Sequence, residues 1–349
     1  MIHIDGSQHS GSGTIVRLAV VFSALLGLPL HVTSARARRP RPGLRPQHLT
    51  AVRACAELCR AETEGLEVGA TEFTFVPSGQ VRSGRYEWAI GTAGSTTMLA
   101  LGVLPIACLA PEPVTARITG GVFQDFAPSP HHLQFVLAPL LRRMGIDCEI
   151  ELIRAGYVPN GAGVLGLRVD TRAHSLDPLD LVQPGHIDSV DGIAFASHLR
   201  RREVADRMAR TCEDRLTEAG LSCHIRRVDD TRAKHPGASL AVWAESSTGA
   251  RLGADRVGAR RRSSEAIGER VASHFLADVT SGATTDRYLA DQLVFFAVLA
   301  NGTTRYVAPR ITEHLRTNLW VAQRFGLGAR CTGRLVEIEG AGRSLEPTP

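Results

Sequence analysis

The sequence predicts a mixed α/β protein: a core of repeated βα units carrying a small inserted α/β domain. Three observations carry this reading. The same order of parts occurs twice in the first half of the chain, a third block near the C-terminus has the same character, and the stretch from about residue 184 to 277 fits none of them.

The first block opens with Met1-Ile2-His3-Ile4-Asp5-Gly6, a short alternating strand running into a loop. Gly11-Ser12-Gly13-Thr14 then leads into the apolar run Ile15 to Leu28. A strand follows over His31 to Ser34, and a second helix begins at Gln47-His48-Leu49. The second block repeats this order. Ala93-Gly94-Ser95-Thr96 leads into Met98 to Leu109, Val114 to Ile118 reads as a strand, and another helix begins at His131-His132-Leu133. In the third block Asp291-Gln292-Leu293 opens one helix and His314 another.

Within 184–277, Val190 to Ala196 and Ser239 to Ala244 read as strands, and Arg251 to Gly258 as a third element. Arg201 to Ala219 reads as a charged amphipathic helix. The expected organisation is a core of residues 1–183 and 278–339, an insert of 184–277, and a flexible tail over 340–349.

The 349 residues include 44% hydrophobic side chains, ample for a real core. Trp88 to Pro111 is uncharged, but its first half is polar and glycine-rich and Pro105 interrupts the rest. That suits a buried helix better than a membrane span. The opening residues do not read as a signal peptide, so a cytoplasmic location is expected. The seven cysteines contain no Cys-x-x-Cys, which suits reduced thiols rather than a disulfide frame or a zinc site.

The formal net charge is +5, and Lys234 is the single lysine among 40 basic residues. Arginine suits bidentate phosphate contacts, although a general bias toward Arg and Ala explains the count equally well. Lys234 lies in Lys234-His235-Pro236-Gly237, an exposed turn. If the chain carries a nucleotide covalently, a histidine is therefore the better nucleophile.

Four segments are candidates for chemistry. The loop Asp5 to Thr14, ahead of a helix containing Arg17, has glycines that let backbone amides approach an anion. It is neither a Walker loop nor a dinucleotide fingerprint, and a tight strand-to-helix turn accounts for it equally well. The segment Arg36 to Gln47 places five arginines among three prolines. Phosphate binding is favoured there over a merely solvated charged loop, because proline stiffens the backbone between the arginines. Asp286-Arg287-Tyr288-Leu289-Ala290-Asp291-Gln292 offers an aromatic face and a carboxylate for ribose or metal, yet by itself it is an ordinary helix start with Asp286 as N-cap. Finally, Thr312 is a plausible N-cap that puts His314 in the first helical turn, with Leu315, Leu319 and Ala322 as the buried stripe. A helix N-terminus favours the neutral imidazole. In isolation His314 is a surface histidine beside Glu313.

Together these strings resemble the RNA 3'-terminal phosphate cyclase family. The resemblance runs over nearly the whole chain and is weakest in the insert. It rests on Asp5-Gly6-Ser7-Gln8 with Gly11, Gly13 and Arg17, on Arg36, Arg39, Pro42-Gly43-Leu44 and Gln47-His48-Leu49, and on Ala93-Gly94-Ser95. It continues through Gly120-Gly121, Ala127-Pro128, Gly156-Tyr157 with Pro159 and Gly161, Tyr288 to Gln292, and His314 with Thr317-Asn318.

The resemblance implies the repeated fold shared by such cyclases and enolpyruvyl transferases. It implies ATP as cofactor with Mg²⁺ or Mn²⁺, and RNA with a 3'-phosphate end as partner; no obligate protein partner is evident. His314 would attack the α-phosphorus of ATP, AMP would pass to the RNA 3'-phosphate, and the 2'-hydroxyl would close a 2',3'-cyclic phosphate. Arg17, Arg39 and Gln47 would share the catalytic work, Arg36 and Arg39 would hold substrate phosphate, and Tyr288, Leu289, Ala290, Asp291 and Gln292 would bind the nucleotide. Three departures bear on this. Ser10 stands where the family has a metal-binding glutamate, Leu101 where it has a nucleotide-contacting glutamine, and Ala162 interrupts a glycine triplet.

The competing readings are a non-catalytic RNA-binding relative, which His314 argues against and Ser10 and Leu101 argue for, and an enolpyruvyl transferase, which a single lysine fits poorly.

Overall fold

A computed structural model describes residues 1–170 and 175–342. Among them run four sheets of four strands each. Three of these are built alike. In the first unit, strand Ile2–Asp5 pairs in parallel with Leu30–Thr33 across the helix Gly13–Leu26. The helix Pro46–Cys59 then leads to two antiparallel strands, Glu62–Glu64 and Phe73–Val76, and the last of these closes back on Leu30–Thr33. The second unit repeats the plan with strands Gly84–Ala89, Val114–Gly120, Asp147–Arg154 and Gly163–Asp170. Numbering the strands within a unit, the spatial order is first, second, fourth, third in both cases.

The third unit has the same order, with one interruption. Its first strand is Asp180–Leu181 and its second is Thr303–Val307, again parallel. Between that first strand and the helix Leu289–Ala297 the chain leaves to build the fourth sheet. This sheet consists of strands Ser189–Ser197, Ser222–Asp230, Gly237–Glu245 and Arg251–Val257. It packs the helices Val204–Glu218 and Ser264–Thr280 in a hydrophobic cluster of its own. The strand Ser222–Asp230 and the helix Ser264–Thr280 go beyond the elements read from sequence. The sequence repeat of helix, strand, helix does not itself place the closing antiparallel strands, which are short in the first and third units and eight residues each in the second.

The helix Gly13–Leu26 is buried along almost its whole length because other helices surround it. It packs on the helices Pro46–Cys59, Thr96–Ala107 and Glu313–Arg324. A helix apolar on all sides belongs in such a position. Pro105 sits near the end of Thr96–Ala107, where few hydrogen bonds follow for it to break. No helix of the described residues is long and apolar enough to cross a membrane. Cys55, Cys59, Cys148, Cys212, Cys223 and Cys331 are free thiols. Residues 340 to 342, expected to begin a loose tail, hydrogen-bond back to Gly302, Val298 and Ala300. Residues 343–349 lie outside the described set.

Candidate active site

The helices Gly13–Leu26 and Glu313–Arg324 lie against each other and bring their first turns together. Ser12 caps the first, its Oγ accepting from Thr14 N at 3.3 Å. Thr312 caps the second, accepting from Leu315 N at 2.9 Å. Two contacts tie the pair. Thr14 Oγ1 lies 3.2 Å from His314 Nδ1, and Ser10 N donates to Thr317 Oγ1 at 3.4 Å. The His314 ring stays accessible to solvent, while Leu315, Leu319 and Ala322 are buried as the sequence stripe predicts.

The imidazole of His314 is held below the usual histidine pKa. Burial of its inner edge contributes most, then the charges of Arg17 and Arg39, with Glu313 opposing. The helix terminus invoked from sequence is thus joined by two arginines. His48 shows the same field more strongly. Burial, with Arg17, Arg36, Arg39 and Arg45 around it, pushes its pKa down to about 3. Its ring lies where a Cβ on Gly13 would stand, only 2.2 Å from Nε2. Gly13 is therefore needed so that the two helix starts can close.

Arg17 is the most telling member. The residue is only partly exposed, its Nε is enclosed with no hydrogen-bond partner, and burial lowers its pKa to about 10. It is still charged at neutral pH. Among the described residues no carboxylate pairs with it. A desolvated guanidinium without an anion is costly to maintain, which marks the place for one. Arg39 is exposed above the same region.

Arg36 is arranged differently. Its Nη1 donates to Arg41 O and Gly43 O at 2.9 and 2.6 Å, so this guanidinium braces the proline loop from within. Gln47 Oε1 accepts from Ser95 N at 3.2 Å, linking the first unit to the cap of the helix Thr96–Ala107.

The Tyr288–Gln292 segment begins the helix Leu289–Ala297. Asp286 does not occupy the cap position itself, but its Oδ1 accepts from the amides of Tyr288 and Leu289, at 2.8 and 2.9 Å. Leu289 and Ala290 are fully buried, backbone included: Leu289 N donates to Asp286 Oδ1 and Ala290 O accepts from Tyr306 Oη at 2.7 Å. Gln292 is buried with Oε1 unpartnered. Asp291 accepts from Thr312 Oγ1 at 2.8 Å, and burial pushes its pKa up to about 7. Asn318 Nδ2 donates to Asp291 O at 2.8 Å. Asp291 is thereby joined to the start of the His314 helix. Tyr288 stands edge-on to His132, ring centres 6.2 Å apart.

Sequence reasoning missed His132 as a partner. Its Nε2 lies 3.0 Å from Asp286 Oδ2, with both side chains enclosed. Asp286 raises the His132 pKa against the opposing effect of burial, and His132 lowers that of Asp286 in the same way. Asp286 Oδ2 also accepts from Gly253 N at 2.9 Å, and Asp255 Oδ2 accepts from Ser129 N at 2.7 Å. These bonds attach the fourth sheet to the core beside Tyr288.

Three or more His, Cys, Asp or Glu side chains do not converge anywhere among the described residues. Ser10 Oγ pairs with Ser12 Oγ at 3.0 Å. Asp5 spends its carboxylate on Ser7 and Gln8. The described residues therefore offer no ready-made cage for a divalent ion. Leu101 is buried in the core.

Residues 8–331 match the family described as RTC: RNA 3'-terminal phosphate cyclase. A protein named RNA 3'-terminal phosphate cyclase from Hyperthermus butylicus is 39% identical over 335 residues, 94% of this chain and 92% of that one. Those of the same name from Methanopyrus kandleri and Pyrococcus furiosus are 38% and 36% identical. They cover 93% and 97% of this chain, and 93% and 96% of their own. The enolpyruvyl transferase NikO from Streptomyces tendae overlaps 61% of this chain and 38% of its own at 17% identity, with a TM-score of 0.26.

Proposed function

Because the chain belongs to the RNA 3'-terminal phosphate cyclase family, we propose that it converts an RNA 3'-phosphate into a 2',3'-cyclic phosphate, using ATP and a covalent adenylate on His314. The observation that carries the reading is the meeting of His314 with Arg17, a guanidinium lacking an internal anion.

The first step needs a neutral imidazole with one free lone pair. Burial and two cations keep His314 neutral. In this reading Nδ1–H donates to the Thr14 hydroxyl 3.2 Å away, and Nε2 keeps its lone pair and reacts. Nε2 attacks the α-phosphorus of ATP, the N–P bond forms, and pyrophosphate leaves with the electrons of the broken P–O bond. Negative charge collects on the phosphoryl oxygens as the reaction proceeds. Arg17 and Arg39 are fixed cations for that charge.

AMP then passes from His314 to an oxygen of the RNA 3'-phosphate. The neighbouring 2'-hydroxyl attacks that activated phosphorus, loses its proton, and AMP departs. Tyr288, Asp291 and Gln292 are assigned to the nucleoside, with Leu289 and Ala290 packed beneath them as support. Gln47 and Arg36 hold the loops that carry the arginines. A divalent ion would be held chiefly by nucleotide phosphates and water, since no cluster of three or more acidic, His or Cys side chains stands among the described residues. RNA is the partner assigned, and residues 184–277 are taken as an inserted domain in a core of 1–183 and 278–339.

The test is to incubate the protein with α-labelled ATP and Mg²⁺ or Mn²⁺, denature it, and assay for acid-labile, alkali-stable label. Label is expected in the native protein and absent from His314→Ala. No label with either metal would overturn the catalytic reading in favour of a non-catalytic RNA-binding one.

A further inference from the structure

Beyond His314 the same helix carries Trp320, half-buried, and Arg324, exposed. Both line a cavity of about 380 Å³ together with His3, Asp5, Gln8 and Thr33. Asp5 and Gln8 belong to the loop that reaches His314 through Thr14. At 1.5 Å per residue, Trp320 lies about 9 Å along the helix axis from His314.

The surroundings of this cavity are built rather than merely solvated. The Trp320 ring meets His9 with centres 4.8 Å apart, tilted by 41°. His9 takes a φ of +44°, a conformation that costs a non-glycine residue. Its carbonyl accepts from Arg38 Nη1 at 2.8 Å, which holds His9 in place. The lining carboxylate, Asp5, is already engaged by Ser7 N, Ser7 Oγ and Gln8 Nε2, at 2.9, 2.8 and 3.0 Å. An aromatic face with an arginine beside it suits a flat ring joined to phosphate.

We propose that this cavity holds a nucleobase of the RNA strand near its phosphorylated end, stacked on Trp320, with a backbone phosphate against Arg324. The proposal deepens the cyclase reading and rests on it for the identity of the strand. It separates two ring sites: the ATP base near Tyr288, and an RNA base near Trp320.

The test titrates tryptophan emission of the full-length protein with a 3'-phosphorylated oligoribonucleotide, without ATP. Quenching is expected in the native protein and should vanish in Trp320→Phe, because Trp88 donates to Glu57 and Trp243 stacks on Phe135, away from the cavity. In turnover, Trp320→Ala should raise KM for RNA on the order of tenfold, with Trp320→Phe recovering most of it. Adenylylation by ATP alone should persist in both, which also reports that they fold. An abasic nucleotide near the RNA end should weaken binding to the native protein as the alanine variant does. Equal quenching in Trp320→Phe, quenching by ATP alone, or an unchanged KM in a Trp320→Ala protein that still adenylylates would overturn the proposal. Loss of adenylylation in the native protein would instead remove the cyclase reading and leave the quenching result standing by itself.

Discussion

Thr14 Oγ1 and His314 Nδ1, separated by 300 positions in sequence, lie 3.2 Å apart at the meeting of two helix starts. A hydrogen bond at one ring nitrogen decides which tautomer the other presents. Thr14→Val keeps the shape and removes the hydroxyl, so it is expected to slow adenylylation by roughly 10- to 100-fold. Thr14→Ser should restore most of the rate. The measurement is the single-turnover rate of AMP trapping. Equal rates in the valine and native proteins would show that the contact does not orient the ring.

The pH dependence follows from the direction of the His314 shift. Burial, Arg17 and Arg39 lower its pKa from the ordinary 6.5. The imidazole therefore stays neutral as pH falls through 6.5 and protonates only below it. The acid limb of adenylylation is expected below pH 6.5, and Arg39→Ala should move it upward by removing one repelling cation. The position of the limb is the readout, since the arginine variant also loses rate. A native limb at or above 6.5 would contradict the arrangement.

Stability carries a related signature at His48. Its folded pKa is about 3, against 6.5 for an unfolded histidine. Between those values the unfolded chain binds more protons, so stability is complete above pH 6.5 and drains away as pH falls toward 3. Burial lowers His131 and His274 to about 4, and they act in the same direction. His48→Asn is expected to lose less stability than the native protein between pH 7 and pH 5, measured as the shift in urea midpoint. A parallel loss in both proteins would remove His48 from the account.

Local patterns in the chain announced much of this. Thr312, His314 and the Leu315–Leu319–Ala322 stripe were readable because capping and helical periodicity act over a few residues. The repeated units were visible where glycine and serine precede an apolar run. The partners of the functional groups were not. His314 finds Thr14, and His132 finds Asp286 over 154 positions, through packing that no short window records. The arginine loop was read as one phosphate grip. In the structure Arg36 turns inward to its own loop carbonyls, and Arg38 turns to His9, leaving Arg39 exposed near His314. The interruption of the third unit was legible only as a break in pattern, because its first strand, Asp180–Leu181, is too short to show alternation.

The enclosed pair His132–Asp286 makes a strong claim about stability. Its Nε2–Oδ2 separation is 3.0 Å and neither side chain is more than 1% exposed. Removing one partner leaves the other charge, or its polar atoms, buried alone, which typically costs about 3–5 kcal/mol. Asp286→Ala also frees the amides of Gly253, Tyr288 and Leu289. The variant is expected to unfold at a much lower urea concentration than the native protein. A loss under about 1 kcal/mol would imply that the pair is neutral and weakly bonded.

Ser10 tests the metal question directly. Its amide contacts Thr317 and its hydroxyl contacts Ser12, so the residue stands at the mouth of the His314 site with a neutral side chain. A carboxylate there would add a hard oxygen ligand next to the nucleotide phosphates. Ser10→Glu is therefore expected to move half-maximal adenylylation to a lower Mg²⁺ or Mn²⁺ concentration. The same experiment on Ser10→Gln, which has the length without the charge, should leave the titration where it stands in the native protein. If glutamate and glutamine behave alike, the metal does not approach this loop.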